Sequence, residues 1–127
     1  MVAQTLLTGA SEPELLVFNT LIRLGLVHGV DFTFQSKQFG GRILKGGYVL
    51  DFLFENPPGL AINVQGIYYH YEQGSAIQQN DILTQIALAS IGITLIFIDE
   101  DDVLDDPEFY VRAALNFQDL SRNSGRL

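Results

Sequence analysis

At 127 residues the chain is the length of one domain, and 47% apolar residues with nine Phe and five Tyr supply a packed core rather than a disordered coil. Zero Cys excludes disulfides, thiolate zinc sites, iron–sulfur clusters and Cys nucleophiles, so any metal must be held by oxygen or imidazole. A net charge of −8 counts against a polyanionic partner as an average, yet seven of the 15 acids fall in residues 99–108, leaving eight acids against all seven bases elsewhere.

Ser11-Glu12-Pro13-Glu14 has the S-x-x-E form of a capping box with Pro in the first turn. Leu15, Phe18, Leu21, Ile22 and Leu24 follow at helical spacing up to Gly25, which predicts an amphipathic helix. Residues 30–35 alternate as a half-buried strand. A long Gly-rich loop is expected next, with paired glycines at 40–41 and 46–47; its only charges are Lys37, Arg42 and Lys45, a cationic patch suited to phosphate.

The runs 48–54 and 60–66 are nearly all apolar and flank Glu55-Asn56-Pro57-Pro58-Gly59, so they predict two neighbouring strands of a hairpin. A second helix is expected over 75–90, with Ile77, Ile82, Leu83, Ile86, Ala87 and Ala89 as its apolar positions and Gly92 as its left-handed cap. The buried run 93–98 then predicts a strand parallel to its neighbour, reached by that crossover helix. The acidic stretch reads as carboxylates at the N-termini of short helices, the last helix running from 107 to 117. The last seven residues read as a frayed tail. The organisation expected is an extension over 1–10, one domain over 11–117 and a tail over 118–127.

Asp51, Asn63 and Gln65 interrupt strands that otherwise bury everything, and Asn63 and Gln65, two apart, share a face. Tyr68, Tyr69, His70 and Tyr71 follow just beyond. His28, in the helix-to-strand turn, reads as structural. No phosphate-binding loop, dinucleotide fingerprint, nucleophile elbow or H-E-x-x-H is present.

The run GGYVLDFLF…LAINVQGIYYHYE…D…SIGITLIFID, with an early helix bearing Glu14, resembles the PD-(D/E)XK nuclease superfamily, and within it the very-short-patch-repair-like branch. That branch looks like G-x-x-x-D-F, a strand I-E-V-D-G, then W-H, a helix with an acidic residue, and a hydrophobic strand. The resemblance implies an α/β, restriction-endonuclease-like core: helix, three strands, helix, strand, with a central mixed sheet flanked by helices. It also implies a Mg²⁺- or Mn²⁺-dependent DNA endonuclease.

In that reading Asp51 is the first metal-binding carboxylate, Glu14 and Asp81 are further acids for the metal, and His70 assists proton transfer. Asn63 stands where the second acid does and Gln65 two positions on, both placed to order the metal shell or water. Lys37, Arg42 and Lys45 would hold DNA phosphates. Glu14 is also explained in full by the capping box, and Asn63 and Gln65 equally by hydrogen bonds inside a core. The missing second acid supports an alternative: a catalytically silent nuclease fold serving as an interaction module, as a homo-oligomer or among phage structural proteins. With no apolar run of about 18 residues and no basic leader at the start, no membrane partner is expected and a cytoplasmic location is.

Overall fold

A computed structural model describes residues 10–34, 43–66 and 75–124. Ser11 caps the first helix, α1 (Glu12–Arg23): its hydroxyl accepts from the Glu14 N–H and Glu14 Oε1 accepts from the Ser11 N–H at 2.9 Å, the capping box expected. The buried face of α1 is Val17, Phe18 and Leu21, whereas Ile22 is exposed. Strand β1 (Phe32–Phe34) follows, then β2 (Ile43–Lys45) and β3 (Tyr48–Leu50), β4 (Phe52–Phe54), β5 (Leu60–Gln65), helix α2 (Ser75–Ala89), β6 (Thr94–Asp99), and helices α3 (Glu100–Asp105) and α4 (Pro107–Leu115).

The main sheet has the order β1-β4-β5-β6. β4 runs antiparallel to both of its neighbours, β1 and β5, and β6 runs parallel to β5 after the α2 crossover, as expected. Phe32, Phe34, Phe52, Phe54, Leu60, Ile62, Ile96 and Ile98 form one face, against α1, α3 and α4. Ala61, Leu95 and Phe97 form the other, with Leu50 and Leu88, the latter from α2. The result is an α/β arrangement of three layers. His28 belongs to the first core: its ring meets Phe18 and Phe32, and its Nε2 lies 3.2 Å from both the N and the O of Phe34.

Two expectations are corrected. The Gly-rich loop is not all loop: its second half is the hairpin β2–β3, in which Lys45 pairs with Tyr48 across Gly46 and Gly47. Both glycines have positive φ, 58° and 85°, which a two-residue hairpin turn of primed type demands and side chains oppose. Second, the apolar run 48–54 is not one strand. It breaks at Asp51, with Tyr48–Leu50 in the small sheet and Phe52–Phe54 in the main one.

At the opposite end of the sheet, Gly59 (φ 77°) and Gly92 bring the starts of β5 and β6 together, with Thr94 N–H donating to Gly59 O at 2.7 Å. A Cβ on Gly59 would lie 2.8 Å from Gly92 O. Gly59→Ala is therefore expected to destabilise the fold by about 2–3 kcal/mol, the cost of a left-handed non-glycine residue plus a backbone clash, seen as a lower denaturation midpoint in urea. No helix among the described residues is long and apolar enough to cross a membrane.

Candidate active site

Where β4 leaves the sheet, side chains replace the backbone ladder. The last pair of the β4–β5 ladder is Phe52 with Ile62. One residue further, the Asp51 N–H donates to Asn63 Oδ1 at 2.8 Å, and the Val64 N–H donates to Asp51 Oδ2 at 2.9 Å. Asn63 Nδ2 donates to Val49 O at 3.1 Å. Asp51 and Asn63 thus splice the break between β3 and β4, each satisfying a backbone group that strand pairing no longer reaches. Asp51 is 3% exposed, and its carboxylate is oriented by the N–H it accepts.

The parallel register sets Gln65 beside Asp99. Because alternate residues share a face, Asn63 and Gln65 continue the Ala61 face, and Asp99 the face of Leu95 and Phe97, toward the carboxyl ends of the two strands. Gln65, 1% exposed, donates through Nε2 to Asp81 Oδ2 on α2 at 2.7 Å. Asn123, from a short 3₁₀ turn at Arg122–Ser124, donates to the same Asp81 oxygen at 3.2 Å. Asn63, Gln65 and Asp81 are therefore brought to one end of one sheet face, and Asp51 is bonded to the Val64 backbone at that same end.

Beside them lies a cluster that the sequence reading did not single out. Asp99, fully buried, accepts from both the backbone N–H and the guanidinium of Arg122 at 3.0 Å, and Asp101 accepts from the other arm of that guanidinium at 2.8 Å. The pairing holds the Asp101 carboxyl below the usual carboxylate range, chiefly through its hydrogen bond to Arg122, and raises the guanidinium in turn. Asp99, Asp101 and Asp102 offer oxygens within 4.8 Å of one another, a spacing that suits a metal ion. Arg122 already supplies positive charge there. The reading of residues 99–108 as helix N-termini holds for Glu100, Asp101 and Asp102 in the first turn of α3, and for Asp106, which caps α4. It misses the buried Asp99. The expected frayed tail is corrected too: Ser121 is buried, Arg122 is tied to Asp99 at the end of β6, and Asn123 is tied to Asp81 of α2.

Glu14 is engaged in the α1 capping box, and Lys45 is exposed in β2. His70, Lys37 and Arg42 lie outside the described residues, as does the aromatic cluster 68–71.

Asn63 gives a test of the splice. Asn63→Asp keeps an acceptor for the Asp51 N–H but sets a carboxylate against Val49 O in place of a donor. Losing that bond and leaving two acceptors facing is expected to lower stability by about 1–3 kcal/mol, read from urea unfolding.

Polar side chains gathered at the carboxyl ends of adjacent parallel strands, over a mixed sheet covered by helices, occur here on a fold shared with a solved nuclease. The fold is accordingly nuclease-like. The particular structure is titled "Homing Endonuclease I-Bth0305I Catalytic Domain"; it is 20% identical, with a TM-score of 0.58 over 83% of this chain and 94% of that one. No protein family model and no curated protein matches the chain.

Proposed function

We propose that the protein is a divalent-metal-dependent DNA endonuclease of the PD-(D/E)XK type. The observation that carries this reading is Asp51, a buried carboxylate oriented by a backbone N–H where a strand breaks, on the same sheet end as Gln65 and Asp81. The nuclease-like fold supports it.

The donor set fits a hard cation: the carboxylates of Asp51 and Asp81 and the Gln65 Oε1 are all oxygen, which Mg²⁺ or Mn²⁺ prefers. Bound there, the ion supplies a Lewis-acid charge for a phosphodiester and for the attacking water. Asp51 provides the anchoring anion. Gln65, bonded through its nitrogen to Asp81, keeps its amide oxygen distinct from its amide N–H and orders what approaches it. Lys45, exposed on the β2–β3 hairpin, holds a backbone phosphate, with Lys37 and Arg42 assigned the same task and His70 proton transfer.

Electrostatics give the metal a second task. Asp51, Asp81, Asp99, Asp101 and Asp102 gather at this end of the sheet with Arg122, so carboxylates outnumber the guanidinium. A polyanion is repelled from such a surface unless cations intervene. DNA binding is therefore expected to depend on the divalent ion as strongly as cleavage does.

One observation favours a second reading. The Asn63 amide bonds backbone through both its oxygen and its nitrogen, so the position of the family's second acid serves the splice. A fold kept in this way without catalysis would be a binding module. Supercoiled, single-stranded and branched DNA incubated with the protein in Mg²⁺ or Mn²⁺ decides between them. Nicking of at least one substrate, abolished by EDTA, supports the nuclease; intact DNA under every condition supports the module.

A further inference from the structure

Beyond α4 the chain runs back along β6, the outer strand of the main sheet. Asp119 Oδ2 accepts from the Phe97 N–H at 3.1 Å and from Gln85 Nε2 at 3.0 Å, while its Oδ1 accepts from the Ser121 N–H at 2.9 Å. An edge N–H of the sheet is thereby satisfied by a side chain, and the strap that follows is anchored to that edge. Three residues on, Arg122 is held by Asp99 and Asp101.

The strap then delivers Asn123. Its Nδ2 lies 3.2 Å from Asp81 Oδ2 and 3.4 Å from Gln65 Oε1. With the 2.7 Å bond from Gln65 Nε2 to Asp81 Oδ2, side chains from β5, α2 and the strap close a triangle. The other end of the same amide tells more. Asn123 Oδ1 is buried without a hydrogen-bond partner among the described residues. A buried acceptor left unsatisfied bears a desolvation penalty that opposes the return on the two N–H contacts, one of them long. Net stability is a poor account of this asparagine. What its N–H group does accomplish is orientation. The Gln65 amide has two ends of nearly equal shape, and an oxygen turned toward the Asp81 carboxylate would meet repulsion. A donor at Oε1 together with an acceptor at Nε2 leaves one orientation.

We propose that Asn123 is a positioning residue of the hydrolytic site, holding Gln65 and Asp81 in the arrangement that receives the metal and its water; this rests on the metal-dependent nuclease reading. The C-terminal strap is then part of the working site.

The experiment uses Asn123→Leu, Gln65→Met and the double variant, each similar in shape to the original side chain. Melting, Mn²⁺ affinity by calorimetry and the kcat and KM of nicking are measured. Asn123→Leu is expected to melt within about 3 °C of wild type, since it removes an orphaned acceptor along with the donor. It binds Mn²⁺ about 3–10-fold more weakly and loses about 10-fold in kcat with KM for DNA unchanged, as a misplaced site group does. In the Gln65→Met background its further effect is smaller than in wild type, because only its contact with Asp81 remains to be lost. Wild-type Mn²⁺ affinity and kcat in Asn123→Leu, or a full additional loss in the double variant, overturns the positioning role while the nuclease reading stands. A wild-type protein that neither binds Mn²⁺ nor nicks sinks the nuclease reading, and with it the hydrolytic role of Asn123. The contact itself has its own readout: water exchange of the Gln65 side-chain NH₂ protons quickens about 10-fold in Asn123→Leu if Asn123 orients that amide, and an unchanged rate overturns the orientation.

Discussion

Asp51→Asn is expected to lower Mg²⁺-supported DNA nicking by about 10³-fold or more while leaving the protein folded. The reason lies in what the substitution keeps. An asparagine can still present an oxygen to the Val64 N–H, and the Asp51 N–H still meets Asn63 Oδ1, so the splice between β3 and β4 survives. The negative charge is lost, and that charge is what anchors a hard cation against water's competition. Conversion of supercoiled to nicked circles, compared with unfolding curves for both proteins, separates the two effects. A variant that nicks at the wild-type rate would show that the metal is held elsewhere.

The second large effect is on stability. Arg122→Ala removes the guanidinium from a fully buried Asp99 and from the half-exposed Asp101. The exposed partner contributes little, because solvent screens it. The buried one keeps the backbone N–H of residue 122 but loses its guanidinium partner, and about 2–4 kcal/mol of stability should be lost, roughly 10 °C in melting temperature. Arg122→Lys keeps the charge without the two-armed geometry and should fall between.

The sign of the pH dependence follows from Asp101. Its carboxyl titrates below the ordinary 3.8 in the folded state, so the stability it adds is fully present above about pH 5 and is lost as pH falls through the folded value. The gap between wild type and Arg122→Ala should therefore be flat near neutrality and narrow slightly below about pH 4, in proportion to the small share Asp101 holds. Thermal unfolding of both proteins across pH 3–7 checks this, and a gap that widens toward acid would contradict it.

The order of elements was readable because long apolar runs and a capping box announce themselves locally. The parallel placement of β6 followed from the crossover helix, and Gly46-Gly47 carried a hairpin signal that the loop reading passed over. The break at Asp51 was hidden: Tyr48–Leu50 and Phe52–Phe54 are equally apolar, and only the partners of Asp51, 12 and 13 residues downstream, reveal it.

Helix α2 inverted its expected pattern. Ile82, Leu83 and Ile86 face outward, while Asp81 meets Gln65 and Gln85 bonds Leu95 O and Asp119. Hydrophobic periodicity cannot show an inward polar face whose partners sit on other elements. The tail misled for the same reason. Arg122 looks like a loose surface charge until Asp99, 23 residues earlier, is found buried against it.

Gathering Asp51, Gln65 and Asp81 on one sheet end is what makes a metal site conceivable, and calorimetric titration of Mn²⁺ into wild type, Asp51→Asn and Asp101→Asn measures it most directly. Binding heat is expected in wild type and Asp101→Asn and none in Asp51→Asn. Binding that persists without the Asp51 charge, or disappears without that of Asp101, would move the metal to the Arg122 cluster and contradict the assignment.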